Sequence, residues 1–265
     1  MKLNIAHKTE YSFEYGLLGG IQQIRKTPVS NNSQNVSKWS LSFIGAKHEL
    51  EFVDQFNNHV NLISIEPGTR NLIIECSGCV IVTDKSGILG DQKSNVPLWL
   101  WTEQTKVTKP GAKIKSFAKA LSFRGDINDF HMLMTIIRET LKFKKNSTDV
   151  GTTAEEAFKL GTGVCQDFTN IFLSCCRFLG YPARYVSGFL LLEDNQVQEA
   201  MHAWAEVFIV GLGWVGFDAV NAMSPDDRYV KVAHGQDYAD AAPIRGMSFG
   251  GKDKCITVSI MVSEQ

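Results

Sequence analysis

The chain has 265 residues, 44% hydrophobic and 21% charged, which are the proportions of a folded protein with a sizeable core rather than a disordered one. Its 27 basic and 28 acidic residues leave a net charge of -1, so charge gives no reason to expect nucleic acid as a partner. No apolar run approaches the roughly 18 residues of a membrane span and Met1 to His7 lack a signal-like apolar core, so a cytoplasmic protein with no membrane contact is expected.

From Leu3 to Phe13, Leu3, Ile5, His7, Thr9, Tyr11 and Phe13 alternate with their neighbours, the period-two pattern of a half-buried strand. Trp39, Leu41 and Phe43 repeat the pattern. Leu50 with Phe52, Val60 to Ile65 and Leu72 to Val82 add further apolar runs, so a β-sandwich is expected over residues 1–95. The polar stretch from Gly90 to Pro97 reads as a linker into a second unit, residues 96–265.

Helical spacing follows. Ile114, Phe117 and Leu121 suggest a short helix, and Ile127, Phe130, Leu133, Ile137 and Leu141 form a longer stripe. Thr153 and Glu156 have capping-box spacing, which starts another short helix before the glycine turn Gly161-Thr162-Gly163. From Cys165, the residues Phe168, Ile171, Phe172, Cys175, Phe178 and Leu179 share a face, with Gly180 and Pro182 as stop signals. Strands are expected at Ala183 to Leu192, His202 to Val210 and Trp214 to Ala219, joined by the turn Glu193 to Gln196 and by Gly211-Leu212-Gly213. Ile256, Val258, Ile260 and Val262 alternate in one more strand.

Cys165 opens its helix, where the N-terminal dipole favours a thiolate, and His202 and Asp218 follow in the order nucleophile, base, orienter. A helix followed by an antiparallel hairpin places His202 and Asp218 on one sheet face, to which the helix delivers Cys165. His202 then takes the thiol proton and Asp218 holds the ring. The Cys165 backbone N–H is one oxyanion donor, and Gln166, Trp204 and Asn221 are the candidates for its partner or for supporting contacts. Each residue alone also fits an ordinary core position.

The six cysteines are too sparse for a disulfide scaffold and are expected to be free. Cys76-Ser77-Gly78-Cys79 lacks a second ligand pair, and Cys175 and Cys176 read as packing residues, so no metal and no cofactor is expected. Asp167 is placed either to cap or pair near the helix start or to serve the helix dipole alone, and His234 is expected to lie in a loop.

The blocks Gly163 to Phe168, Met201 to Val207 and Trp214 to Asn221 resemble the three motif blocks of the transglutaminase-like superfamily, specifically its bacterial branch of candidate cysteine proteases. His234 to Gly246 looks like that branch's Gly-Arg-Asp-Tyr block, with Gln236 in place of the usual Arg. Tyr11, Gln23 to Pro28 and Asp54 to Asn58 look like its N-terminal β domain. The resemblance implies a papain-like α+β core with Cys165, His202 and Asp218 as a catalytic triad. A thiol hydrolase that cleaves peptide or protein amides through a thioester is the leading expectation. The alternatives are acyl transfer to an amine, or a catalytically silent module whose N-terminal β domain recruits a protein partner.

Overall fold

Alternating apolar residues in the first third of the chain become six strands: β1 (Lys2–Phe13), β2 (Leu17–Thr27), β3 (Gln34–Ile44), β4 (Ala46–Val53), β5 (His59–Ile65) and β6 (Asn71–Val82). The structure, a computed structural model, describes residues 1–91, 96–192, 197–251 and 253–264. Gln92 to Asn95 of the expected linker and the whole expected turn Glu193 to Gln196 lie outside the described residues. Next come β7 (Ile88–Gly90), a 3-10 helix (Leu98–Thr102), α1 (Ala112–Ala120), α2 (Ile127–Thr140), β8 (Lys142–Phe143), α3 (Ala154–Leu160) and β9 (Thr162–Gly163). The chain continues through α4 (Cys165–Phe178), β10 (Ala183–Leu190), β11 (His202–Ile209), β12 (Gly213–Phe217), β13 (Tyr229–Gly235), α5 (Tyr238–Ala241), β14 (Ile244–Gly250) and β15 (Asp253–Glu264).

The fold is α+β, as expected. Two four-stranded sheets, β15-β1-β6-β3 and β14-β2-β5-β4, enclose Phe13, Leu17, Ile24, Ile63, Ile65, Leu72 and Ile74. Each such buried side chain contributes about 1.5–3 kcal/mol through burial alone. A third sheet, β13-β10-β11-β12-β7, carries the helices.

The sheets do not divide at residue 95. The alternating strand near the C-terminus, β15, pairs along β1, from Leu3 opposite Glu264 to Phe13 opposite Asp253. Strand β14, which the sequence pattern did not reveal, pairs with β2. In return β7 adds to the edge of the third sheet, beside β12. A period-two pattern says that a strand is half-buried and is silent about which sheet it joins.

The sandwich is fastened to the third sheet in two ways. Leu3, Ile5, Val80, Val82, Ile260 and Val262 pack against Phe189, Val230 and Val232. Two buried amides also grip the edge strand β13. Gln34 donates to the Lys231 carbonyl at 2.8 Å and accepts the Lys231 N–H at 2.9 Å. Asn58 makes the same double contact with His234, at 2.7 and 2.8 Å. Each amide supplies the donor and acceptor that a neighbouring strand would otherwise provide.

Helix α4 is enclosed on all sides, by β10 and β11, by α1, α2 and α3 and by the 3-10 helix, although its sequence shows one apolar stripe. Some of its buried polar residues are well partnered. Arg177, for example, donates to the carbonyls of Ala183 and Gln236 and to the Thr108 hydroxyl. The side chains of Asn170 and Ser174, by contrast, are buried without a hydrogen-bond partner among the described residues. Among the described residues no helix is long and apolar enough to cross a membrane.

Candidate active site

The turn that presents Cys165 is built from both sides. Gly161 ends α3 in the left-handed region at φ 70°, a conformation glycine adopts without a Cβ clash, and β9 then pairs in parallel with β8. Val164 precedes the helix and has no side-chain acceptor, so capping falls to Asp167. Its Oδ2 accepts the Val164 N–H at 2.7 Å and the Thr148 hydroxyl at 2.6 Å. Burial pushes the Asp167 carboxyl above its usual range although both hydrogen bonds oppose it. Asp167 therefore caps the helix start, the first of its two expected roles, and anchors the nucleophile's turn to the 144–152 loop.

His202 is the first residue of β11. Its Nε2 lies 2.6 Å from Asp218 Oδ2, which leaves Nδ1 for the thiol of Cys165. The Cys165 Sγ is half-buried and also lies 4.0 Å from the Met201 carbonyl. Burial by itself would lower the His202 pKa, but the charge and hydrogen bond of Asp218, with a contribution from Cys165, push it up to about 10. At neutral pH the ring is an imidazolium.

Asp218 sits just past β12 and is completely buried. Oδ1 accepts the N–H groups of Val220 and Asn221 at 2.9 and 3.2 Å. Oδ2 accepts from His202, from Asn221 Nδ2 at 2.8 Å and from the Tyr229 hydroxyl at 2.9 Å. Burial works against the charge, yet His202, Tyr229 and Asn221 outweigh it and hold the carboxyl below its ordinary range. Tyr229 is a site residue that sequence reasoning missed, because no local spacing connects it with Asp218.

Trp204 lies under His202, with ring centroids 6.3 Å apart and planes inclined by 29°. Gly188, opposite His202 in the β10–β11 register, makes room for that indole, since a Cβ there would stand 2.5 Å from the ring. Trp204 is thus packing support for the histidine. Asn221 supports Asp218. The Gln166 amide donates to the Val150 carbonyl at 3.2 Å, which is a supporting contact to the 144–152 loop.

One expectation about geometry needs correction. Helix α4 packs on the sheet face that carries Ala203, Ala205 and Val207, whereas Trp204, Asp218 and Tyr229 occupy the opposite face. Cys165 and His202 each stand at the first position of their element, and the thiol of Cys165 hydrogen-bonds the imidazole there. His234 is also not a loop residue. It lies on β13, against Trp101 and 3.3 Å from Arg184, far below its usual pKa because of burial and the charges of Arg184 and Lys231. Gln236 donates to the Leu100 carbonyl at 3.1 Å, tying the end of β13 to the 3-10 helix.

The other thiols are differently placed. Burial pushes Cys76 up to about 12 against the opposing charge of Lys26, and raises Cys175 and Cys176 further still. All six cysteines are free.

Residues 116–219 match the transglutaminase-like superfamily core, and residues 3–81 match the bacterial transglutaminase-like N-terminal region. The chain belongs to the transglutaminase-like superfamily. A candidate cysteine protease from Cytophaga hutchinsonii has the same fold over all of this chain and 91% of its own, with a TM-score of 0.79 at 20% identity. An uncharacterized protein of Mycobacterium leprae is 25% identical over 270 residues, 94% of either chain. One from Mycobacterium bovis is 35% identical over 131 residues, which span 45% of this chain and 42% of that protein. The matched superfamily core contains Cys165, His202 and Asp218 together.

Proposed function

We propose that the protein is a cysteine-dependent amide hydrolase that acts on peptides or proteins, with Cys165, His202 and Asp218 as its triad. The observation that carries this reading is the arrangement around His202: one ring nitrogen on a fully buried carboxylate, the other facing a thiol at a helix N-terminus. Asp218 keeps the ring protonated, and the imidazolium with the helix dipole favours the thiolate. The sulfur attacks the amide carbonyl, and the Cys165 N–H in the first helical turn stabilises the oxyanion. The C–N bond breaks as His202 gives its proton to the leaving amine, forming a thioester. Water, deprotonated by His202, then attacks the thioester. A carboxylic acid leaves and the thiolate and imidazolium return.

A neutral haloacetamide tests the nucleophile. Cys165 should be alkylated far faster than the buried Cys175 and the exposed Cys255, and His202→Ala should remove the difference. Equal rates for Cys165 and Cys255 in the unaltered protein would overturn the reading. A peptide library then identifies the reaction: release of amine and acid, abolished by Cys165→Ala, is hydrolysis. Products joined to an added primary amine would instead show acyl transfer.

A further inference from the structure

The hydroxyl of Tyr229 reaches Asp218 from a strand that the triad does not use. Tyr229 begins β13, the edge strand of the third sheet, and its OH lies 2.9 Å from Asp218 Oδ2, the oxygen that also accepts His202. Asn221 Nδ2 bridges the two, 2.8 Å from Oδ2 and 3.2 Å from the phenol oxygen. The phenol ring is fixed as well. It stands edge-on to Trp204, with centroids 5.5 Å apart, and 6.0 Å from the His202 ring.

Strand β13 is itself fixed from outside the core. Gln34 and Asn58, both from the N-terminal sandwich, hold Lys231 and His234 through paired hydrogen bonds, two and five residues beyond Tyr229. A chain of direct contacts therefore runs from sandwich to β13 to the phenol to the carboxylate.

We infer that Tyr229 is a positioning residue for the triad, aiming Asp218 Oδ2 at His202 and keeping it ionised, and that the N-terminal sandwich holds β13 in the register this contact requires. The inference rests on the triad proposed above. The titratable groups facing Asp218 are His202 on β11 and Tyr229 on β13, with Cys165 on α4 beyond the imidazole; Asp226 acts on Tyr229. The phenol is itself pushed far above its usual range, by burial first and then by Asp218, so it remains a donor throughout the working range. Its hydrogen bond favours the carboxylate, so removing it makes Asp218 easier to protonate. A protonated Asp218 no longer holds the imidazolium opposite the thiolate. The acid limb of Cys165 reactivity must then move to higher pH.

Tyr229→Phe keeps the ring and deletes only the donor. The rate of Cys165 alkylation by a haloacetamide is measured against pH, which needs no knowledge of the natural substrate. The expected result is an acid limb moved up by about 0.5 to 1 unit. With a peptide substrate, kcat should fall about ten- to a hundredfold at little change in KM, the effect of losing one hydrogen bond to a charged group. Gln34→Ala, which frees β13 without touching the triad, should move the limb in the same direction by less. Lower melting temperatures with unmoved limbs in both variants would make Tyr229 merely structural and overturn the inference. Failure of the triad itself would look different, since Cys165 of the unaltered protein would then show no enhanced reactivity.

Discussion

The two faces of the third sheet are built on opposite principles. Toward α4 it shows Ala203, Ala205 and Val207, small residues that let the helix approach, and Phe172 of α4 stacks with Phe217 of β12 at 5.6 Å. On the other face stand Trp204, Asp218 and Tyr229, and behind them the buried ion group of Arg184, Glu206 and Lys231. Burial on the first face yields stability from non-directional packing. On the second, burial would be costly without partners, and every charge has a named one. Burial alone would strip the proton from His202, and the charge and hydrogen bond of Asp218, with a contribution from Cys165, outweigh it and push the pKa up to about 10.

Three substitutions can break or sharpen this contrast. The largest effect is expected from Asp218→Asn, which preserves shape and removes the charge. Turnover should fall by about four orders of magnitude, as when a triad orienter is neutralised. The His202 titration, followed by NMR, should drop from about 10 toward its ordinary value of 6.5. The stability this pairing supplies is fully present below pH 6.5, the unfolded value, and is lost as pH rises through about 10. The difference in melting temperature between the unaltered protein and Asp218→Asn should therefore shrink across that interval. An unchanged His202 titration would sink the account of the polar face.

Phe172→Ala tests the other face. The side chain is fully buried, so its loss should cost about 3–5 kcal/mol in denaturant unfolding. The pH dependence of Cys165 alkylation should not change while the variant remains folded. A moved acid limb would mean that the two faces are not separable.

The smallest effect is expected at Lys145, whose 2.9 Å ion pair with Glu199 joins the 144–152 loop to the segment before His202. Both side chains are largely exposed, so Lys145→Ala should change stability by no more than about 1 kcal/mol, and less in high salt. A larger loss would show that the two loops depend on one another.

Much of the molecule is legible in the sequence because its signals are local. Alternation marked β1 and β15, three- and four-residue spacing marked α2 and α4, and Thr153 with Glu156 form the expected capping box at the start of α3. Cys165, His202 and Asp218 could be singled out by residue type and order, and the fold brings those three together. The direction of the Gln166 side chain was not legible, because a helical side chain points where its rotamer and neighbours send it, here toward the Val150 carbonyl.

What the sequence determined by itself was the elements with strong local periodicity, such as β1, α2, α4 and β15, and the chemical types that punctuate them, since propensity, capping and periodicity act over a few residues. Tertiary structure decided how those elements share sheets. It sent β14 and β15 back to the sandwich, clamped β13 with Gln34 and Asn58, and set the phenol of Tyr229 on Asp218. Hydrogen bonds between distant residues leave no periodic trace along a chain. They exist only once burial has removed the water that would otherwise have satisfied the same groups.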